Sequence, residues 1–156
     1  MPKVKKILAP TDFSELSKIG IGYAFEIARD TSAEVIVYHV IDFSNEWADK
    51  GGEGMVRPDL LEHCQKRLKA FLADNFAESI NLVEVRPVVE IGGPVQNITE
   101  KAKEEETDMI VISTHGRTGL DHIILGSVTE KVVARAPCPV LVVPRSGRHL
   151  PDAKAA

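Results

Sequence analysis

The chain has 156 residues, a formal net charge of −4, 44% hydrophobic residues and two cysteines, a length that suits one domain burying roughly 70% of its unfolded surface. Lysine and arginine are interspersed with aspartate and glutamate, which argues against the basic footprint of a nucleic-acid binder. Cys64 and Cys138 make no CxxC, no histidine stands at metal-ligand spacing, and no stretch approaches the ~18 apolar residues of a membrane span, so disulfide scaffolds, dedicated metal sites and transmembrane proteins lose support.

The opening MPKVKKILAPTDF has too short an apolar core for a signal peptide, and a reduced, cytoplasmic setting is expected. Val4 to Ala9 reads as a short strand. Pro10 cannot donate to a ladder, so the strand should end at Pro10-Thr11-Asp12 and leave those three residues at its C-terminal edge. After Phe13-Ser14, apolar residues at Leu16, Ile19, Tyr23 and Ile27, with Gly20, Ala24 and Ala28 beside them, recur at three and four positions and predict a helix with one buried face. Ala33 to Ile41 is nearly continuous in apolar residues, the pattern of a central strand covered on both sides; His39 within it is expected to be a satisfied core histidine.

Asp42 to Pro58 has no periodicity, three glycines and the only tryptophan, Trp47, and is expected to be a mobile loop or lid. Leu60, Leu61, Cys64, Leu68, Phe71 and Leu72 mark an amphipathic helix reaching about residue 77. Leu82 to Ile91 reads as a third strand, and Pro94 opens a third helix running to about Glu106, whose run Glu104-Glu105-Glu106 reads as a solvated end.

The stretch from Asp108 to Val128, DMIVISTHGRTGLDHIILGSV, is the most informative in the chain. Met109 to Ile112 is a β-branched run that stops at small polar residues, as a buried parallel strand does at the edge of its sheet. The following loop is punctuated by Gly116, Gly119 and Gly126, carries Arg117, and leads into Ser127-Val128-Thr129-Glu130, which has the form of a capping box. A strand, a glycine loop and a fresh helix N-terminus suit a phosphate, because unpaired N–H groups and the helix dipole converge there. The helix should run from Ser127 to about Ala136, stop at Pro137-Cys138-Pro139, and give way to a fifth strand, Val140 to Val143. A single domain over residues 1–146 is expected, with a flexible tail over 147–156.

Four strand-helix alternations closing on a strand specify an α/β fold: an open, doubly wound, five-stranded parallel sheet with helices on both faces, Rossmann-like in general form. Ligands in such sheets bind beyond the strand C-termini, at the switch point between two neighbours. Polar residues follow the first strand at Pro10-Thr11-Asp12 and the fourth at Ser113 to Gly116. The first and fourth strands are therefore expected to be adjacent, with the crevice between them.

Neither G-x-x-x-x-G-K-[ST] nor a G-x-G-x-x-G after the first strand is present, so Walker-type hydrolases and dinucleotide oxidoreductases lose their main sequence support. What remains is Gly116, nine residues, then Gly126-Ser127. This resembles the universal stress protein family, whose nucleotide-binding members carry G-x2-G-x9-G-[ST]. The resemblance extends to KKILAPTDFSE, YHVID, DMIVISTHGRTG and LGSVTEKVVARAPCPVLVVP, in order along the chain.

The resemblance implies the adenine nucleotide alpha hydrolase-like form of the fold, a stress-response sensor or regulator that binds ATP with Mg²⁺ carried by the nucleotide, and a homodimer through the last strand. It implies that Gly116, Gly126 and Ser127 face the phosphates, with Val128 and Thr129 beside them, that Asp12 and the Val40 backbone meet the adenine, and that Pro10 and Thr11 line the pocket. One position departs from the pattern. The first motif glycine is Ser113 here, so either the backbone approaches the ligand past a side chain or the hydroxyl takes over a contact. Asp12 alternatively reads as a helix cap, Arg117 as a solvated loop residue rather than a phosphate clamp, and His115 as a loop hydrogen-bonder rather than a base, since nothing in the sequence supplies an orienting carboxylate with it. Binding is thus favoured over catalysis. Two further readings remain: a nucleotide-free dimeric interaction module, and a slow ATPase with His115 and Asp12 as its only nearby candidate groups.

Overall fold

A computed structural model describes residues 2–42, 58–114 and 125–145, so the interior of the loop or lid expected at 42–58 and the tail at 147–156 lie outside the described residues. Five strands, β1 (Lys6–Pro10), β2 (Glu34–Ile41), β3 (Val85–Ile91), β4 (Met109–Ser113) and β5 (Val140–Val143), form one parallel sheet in the order β3-β2-β1-β4-β5. The first and fourth strands are neighbours, as the placement of their polar ends predicted. Helices α1 (Glu15–Thr31), α2 (Pro58–Asn75), α3 (Ser79–Leu82), α4 (Pro94–Glu104) and α5 (Ser127–Arg135) connect them.

Alternation along each strand sorts the core into two layers, because successive side chains point to opposite faces. Ile7, Ala9, Val35, Val37, Ile41 and Val111 pack against Ile21, Ala24, Phe25 and Ala28 of α1 and Cys64, Leu68 and Leu72 of α2. Leu8, Ile36, Tyr38, Val40, Ile110 and Ile112 face the other way, onto Ile98 and Ala102 of α4 and Val132 of α5. Helices therefore cover both faces, as the continuous apolar runs of β2 and β4 required. Each fully buried aliphatic side chain supplies about 1.5–3 kcal/mol of transfer free energy. Among the described residues, no helix is long and apolar enough to cross a membrane.

Several boundaries differ from the periodicity reading, and β1 for one begins at Lys6 rather than Val4. Residues 79–82 form the short helix α3 rather than the start of a strand, and Leu82 at the end of that helix is 66% exposed; an apolar residue without a packing partner carries no strand signal. Helix α2 stops at Asn75, and α4 at Glu104. The end of α4 is a Schellman turn, with Glu106 left-handed at φ 51°, the Thr107 amide donating to Ala102 O and the Glu106 amide to Lys103 O.

Glu104 and Glu106 are exposed, as a solvated end requires, but Glu105 is not: it is half-buried and paired. Glu105 receives both terminal nitrogens of Arg86, at 2.9 and 2.7 Å, while Arg86 Nε donates to Glu34 at 2.7 Å and Lys6 Nζ donates to the Glu105 carbonyl at 3.0 Å. Asp108 accepts the amides of Lys5 and Lys6. These contacts tie β1, β2, β3 and α4 together at the N-terminal edge of the sheet, the end opposite the crevice.

The Arg86 guanidinium, and secondarily Lys6, hold the Glu105 carboxyl down from 4.5 to about 2. A depressed carboxylate adds stability that is complete above its unfolded value and is lost as pH falls toward the folded one. Arg86 is 41% exposed, so solvent screening limits the interaction to about 1 kcal/mol. Glu105→Gln is therefore expected to lower Tm by about 2–4 °C at neutral pH, and the difference from the unaltered protein should vanish as pH drops from 4.5 to about 2. Melting curves across that range decide it; a difference persisting in full at the acid end would rule out the electrostatic origin.

Candidate functional site

Three of the expected residues, Pro10, Thr11 and Asp12, sit where β1 ends and α1 begins. Pro10 is the last residue of β1, and the Thr11 amide donates to Tyr38 O on β2 at 2.9 Å, extending the ladder one residue past the strand. The Thr11 hydroxyl is buried; it pairs with Ser17 Oγ at 2.8 Å and accepts the Phe13 amide at 3.0 Å. Asp12 Oδ1 accepts the Ser14 amide at 3.0 Å in an Asx turn. Ser14, not Asp12, is the N-cap of α1, with its hydroxyl accepting the Ser17 amide at 3.1 Å. The alternative reading of Asp12 as a cap is thereby corrected: the turn fixes Asp12 at the crevice while another residue closes the helix.

Phe13 holds a left-handed φ of 64°, a conformation that costs a non-glycine residue about 1–2 kcal/mol. Packing over-determines it. The Phe13 ring lies 4.3 Å from the His39 ring, 5.4 Å from Phe71 in an edge-on arrangement, and 4.0 Å under the Arg67 guanidinium. His39 is buried, and its Nδ1 lies 2.8 Å from the Thr11 carbonyl; since a carbonyl only accepts, Nδ1 carries the proton. The sequence identified His39 as a satisfied core histidine, but not that it, Phe13 and Arg67 hold the turn after β1. The signal was the DFS triplet beside a strand histidine, and no periodicity links them.

The second cluster is the end of β4. Ser113 follows Val111 in the alternation and so turns its side chain toward α1, where the hydroxyl donates to Leu16 O at 2.6 Å and accepts the Gly20 amide at 3.0 Å. The Ser113 carbonyl accepts the Thr129 hydroxyl at 2.8 Å. Thr114 continues the β4–β5 ladder by donating to Val143 O at 3.0 Å, and its carbonyl accepts the Gly126 amide at 2.6 Å. This bond closes the base of the glycine loop. His115, Gly116 and Arg117 lie outside the described residues.

Where the loop returns, the expected capping box is not formed. Gly126 is the N-cap of α5, with φ −66° and ψ 156°, no side chain caps the turn, and Ser127 is already the first helical residue. Ser127 is one position too late to cap, and Glu130 simply places a charge in the first turn. The first intrahelical bond is Glu130 N to Gly126 O at 2.9 Å, so the amides of Ser127, Val128 and Thr129 have no intrahelical acceptor. Those donors and the helix dipole make the α5 N-terminus attractive to an anion.

The structure brings these two clusters to the C-terminal ends of adjacent strands, which lie about 4.8 Å apart in a sheet. Val40 is one strand further out, on β2, its side chain buried against the α4–α5 layer and its main chain paired with Glu90 of β3. Gly20 was read only as part of the α1 face; its approach to Ser113 is a contact between residues 93 apart that no local pattern could signal.

The comparisons agree with this architecture. A family model described as the Universal stress protein family matches residues 3–144. Universal stress protein MJ0531 of Methanocaldococcus jannaschii is 38% identical over 142 residues, covering 89% of this chain and 81% of that protein. Universal stress protein MJ0577 of the same organism is 35% identical over 157 residues, 90% of this chain and 95% of that protein. The solved structure of MJ0577 superposes with a TM-score of 0.78 at 33% identity, over 93% of this chain and 99% of that one. The universal stress protein from Archaeoglobus fulgidus, solved in complex with dAMP, shares the fold at a TM-score of 0.62 and 21% identity, over 91% of this chain and 98% of that one. With a match running from the first strand to the last, this chain belongs to the universal stress protein family.

Proposed function

We propose that the chain is a cytoplasmic sensor or regulator that binds an adenine nucleotide, ATP, across the C-terminal ends of β1 and β4. The observation that carries this reading is the α5 N-terminus: three consecutive amides without an intrahelical acceptor stand directly beyond β4, beside the turn that holds Asp12. The phosphates would take the α5 end through Gly126, Ser127, Val128 and Thr129, with His115, Gly116 and Arg117 in the same loop. The adenine would take the β1 end, because a carboxylate repels phosphate yet can accept a hydrogen bond from an amino group. Pro10, Thr11 and the Val40 backbone would line that end. A relative of the same fold solved with dAMP is consistent with this choice of base.

Mg²⁺ would arrive on the phosphates. The described residues include no group of three His, Cys, Asp or Glu able to hold a metal by themselves, and Mg²⁺ commonly uses substrate oxygens and water for most of its shell.

A homodimer through β5 completes the proposal, and the two edges of the sheet support it by their difference. The β3 edge is blunted: Pro87 lacks an amide, and Gln65 Nε2 from α2 donates to the Pro87 carbonyl at 2.9 Å. The β5 edge is the apolar sequence Val-Leu-Val-Val, with Leu141 37% exposed and Val133 of the adjacent helix 45% exposed. An apolar edge of this kind is stable when a second strand covers it.

Three outcomes are expected. ATP with Mg²⁺ should raise Tm, since a ligand at one hundred times its Kd adds about 2.7 kcal/mol; no shift, together with no nucleotide found by mass spectrometry of the purified protein, would refute binding. Ser127→Asp should leave Tm without nucleotide unchanged or slightly higher, because an acid in the first turn suits the helix dipole, while ATP affinity falls about tenfold or more through charge repulsion. Leu141→Lys should convert dimers to monomers in sedimentation, and a dimer of undiminished stability would place the interface elsewhere.

A further inference from the structure

Ser113 stands where the family motif has its first glycine, and the structure gives that serine a place of its own. Its hydroxyl lies between the Leu16 carbonyl, 2.6 Å away, and the Gly20 amide, 3.0 Å away. Those are the two groups that an i→i+4 bond of α1 joins, so the hydroxyl bridges one rung of the helical ladder from outside. Its proton is committed to Leu16 and one lone pair to Gly20. The side chain belongs to the α1 layer rather than to the crevice, because Ser113 shares its face with Val111.

This arrangement requires a missing side chain on the helix. A Cβ at residue 20 would stand 2.9 Å from Ser113 Oγ, 3.1 Å from Ser113 N and 3.4 Å from Ile112 C. Gly20 has no positive φ, so what excludes a larger residue is space rather than backbone conformation. The same serine accepts the Thr129 hydroxyl at its carbonyl, and Thr114 after it accepts the Gly126 amide. One residue therefore locks α1 through its side chain and α5 through its main chain, and α5 presents the phosphate-facing amides.

We infer that Gly20 and Ser113 are a compensating pair, in which the void left by the glycine houses the serine hydroxymethyl and makes Ser113 a positioning residue for the phosphate cradle rather than a ligand contact. The ligand part of this inference rests on the nucleotide-binding reading above; the pairing itself does not. Neither residue can be enlarged alone. The serine at a motif-glycine position is then compatible with an intact site, since nothing is added on the crevice side of the backbone.

A double-mutant cycle tests it, using Gly20→Ala, Ser113→Gly and the two combined, each measured for urea midpoint without nucleotide and for ATP affinity. Gly20→Ala alone should lower the midpoint by roughly 1 M and weaken ATP binding about tenfold, because the hydroxyl and the end of β4 are pushed aside. Ser113→Gly alone should lose the bolt to α1 and weaken ATP binding, but by less than Gly20→Ala does, since the main-chain bond to Thr129 remains and no ligand contact is removed. Adding Ser113→Gly to Gly20→Ala should recover at least half of both losses, the new methyl filling the vacated space; the sign of this coupling is what a role confined to one residue would not produce. A double variant no better than Gly20→Ala, or a Gly20→Ala protein with unchanged midpoint, would overturn the pairing. A loss of ATP affinity in Ser113→Gly greater than in Gly20→Ala would make Ser113 a direct ligand and overturn the positioning role. Should the unaltered protein bind no ATP, the functional reading falls, while the urea midpoints still decide the pair.

Discussion

The position of β1 in the middle of the sheet is the constraint from which the candidate site follows. From β1 the chain crosses through α1 to β2 on one side, whereas β4 lies on the other side and feeds α5. Right-handed crossovers place α1 and α2 on one face and α4 and α5 on the opposite face. The connections leaving β1 and β4 consequently diverge from two strand ends that the ladder itself holds side by side, which is the place where a doubly wound sheet takes its ligands in a crevice.

What makes that crevice chemically specific is a division of labour between its two lips. On the β1 lip, the polar groups nearest the turn are engaged with one another: Thr11 with Tyr38, His39 and Ser17, and Asp12 with the Ser14 amide. Such a lip is rigid and carries a carboxylate. On the β4 lip, the main chain of Ser113 and Thr114 is saturated, but the first turn of α5 beyond it is left uncapped. A rigid acidic lip opposite an amide-rich one has the polarity of a nucleoside phosphate, with its amino-bearing base at one end and its charge at the other.

Rigidity on this edge is matched by an ion-pair network on the opposite one. Arg86, Glu105, Glu34, Lys6 and Asp108 tie the N-terminal ends of the strands and the end of α4 into one unit. Beneath α4, Tyr38 donates to Glu90 at 2.6 Å, and Lys101 pairs with both Glu90 and Glu104. Burial and the neighbouring Glu90 raise the Tyr38 hydroxyl above its ordinary value, so it stays a donor throughout the physiological range. The sheet is thus closed electrostatically at its N-terminal end, opposite the strand ends where the proposed ligand would bind.

The succession of elements apart from the short helix α3, the parallel sheet with helices on both faces, and the location of the polar strand ends were legible in the chain, because they follow from local patterns: β-branched runs, three-and-four periodicity, and prolines or glycines that stop an element. The motif around Gly126 and Ser127 was legible for the same reason. Three things were decided only in three dimensions. The cap of α5 moved to Gly126, since a capping box needs backbone angles that the sequence pattern Ser-x-x-Glu does not contain. Glu105 became a partly exposed partner for Arg86, because residues 19 apart meet only once α4 folds back along the sheet and returns its end to the start of β3. And Ser113 turned from a departure in a glycine motif into half of a packed pair, since its partner Gly20 lies on another element and is recognised by the volume it leaves empty, which a sequence read along one dimension does not record.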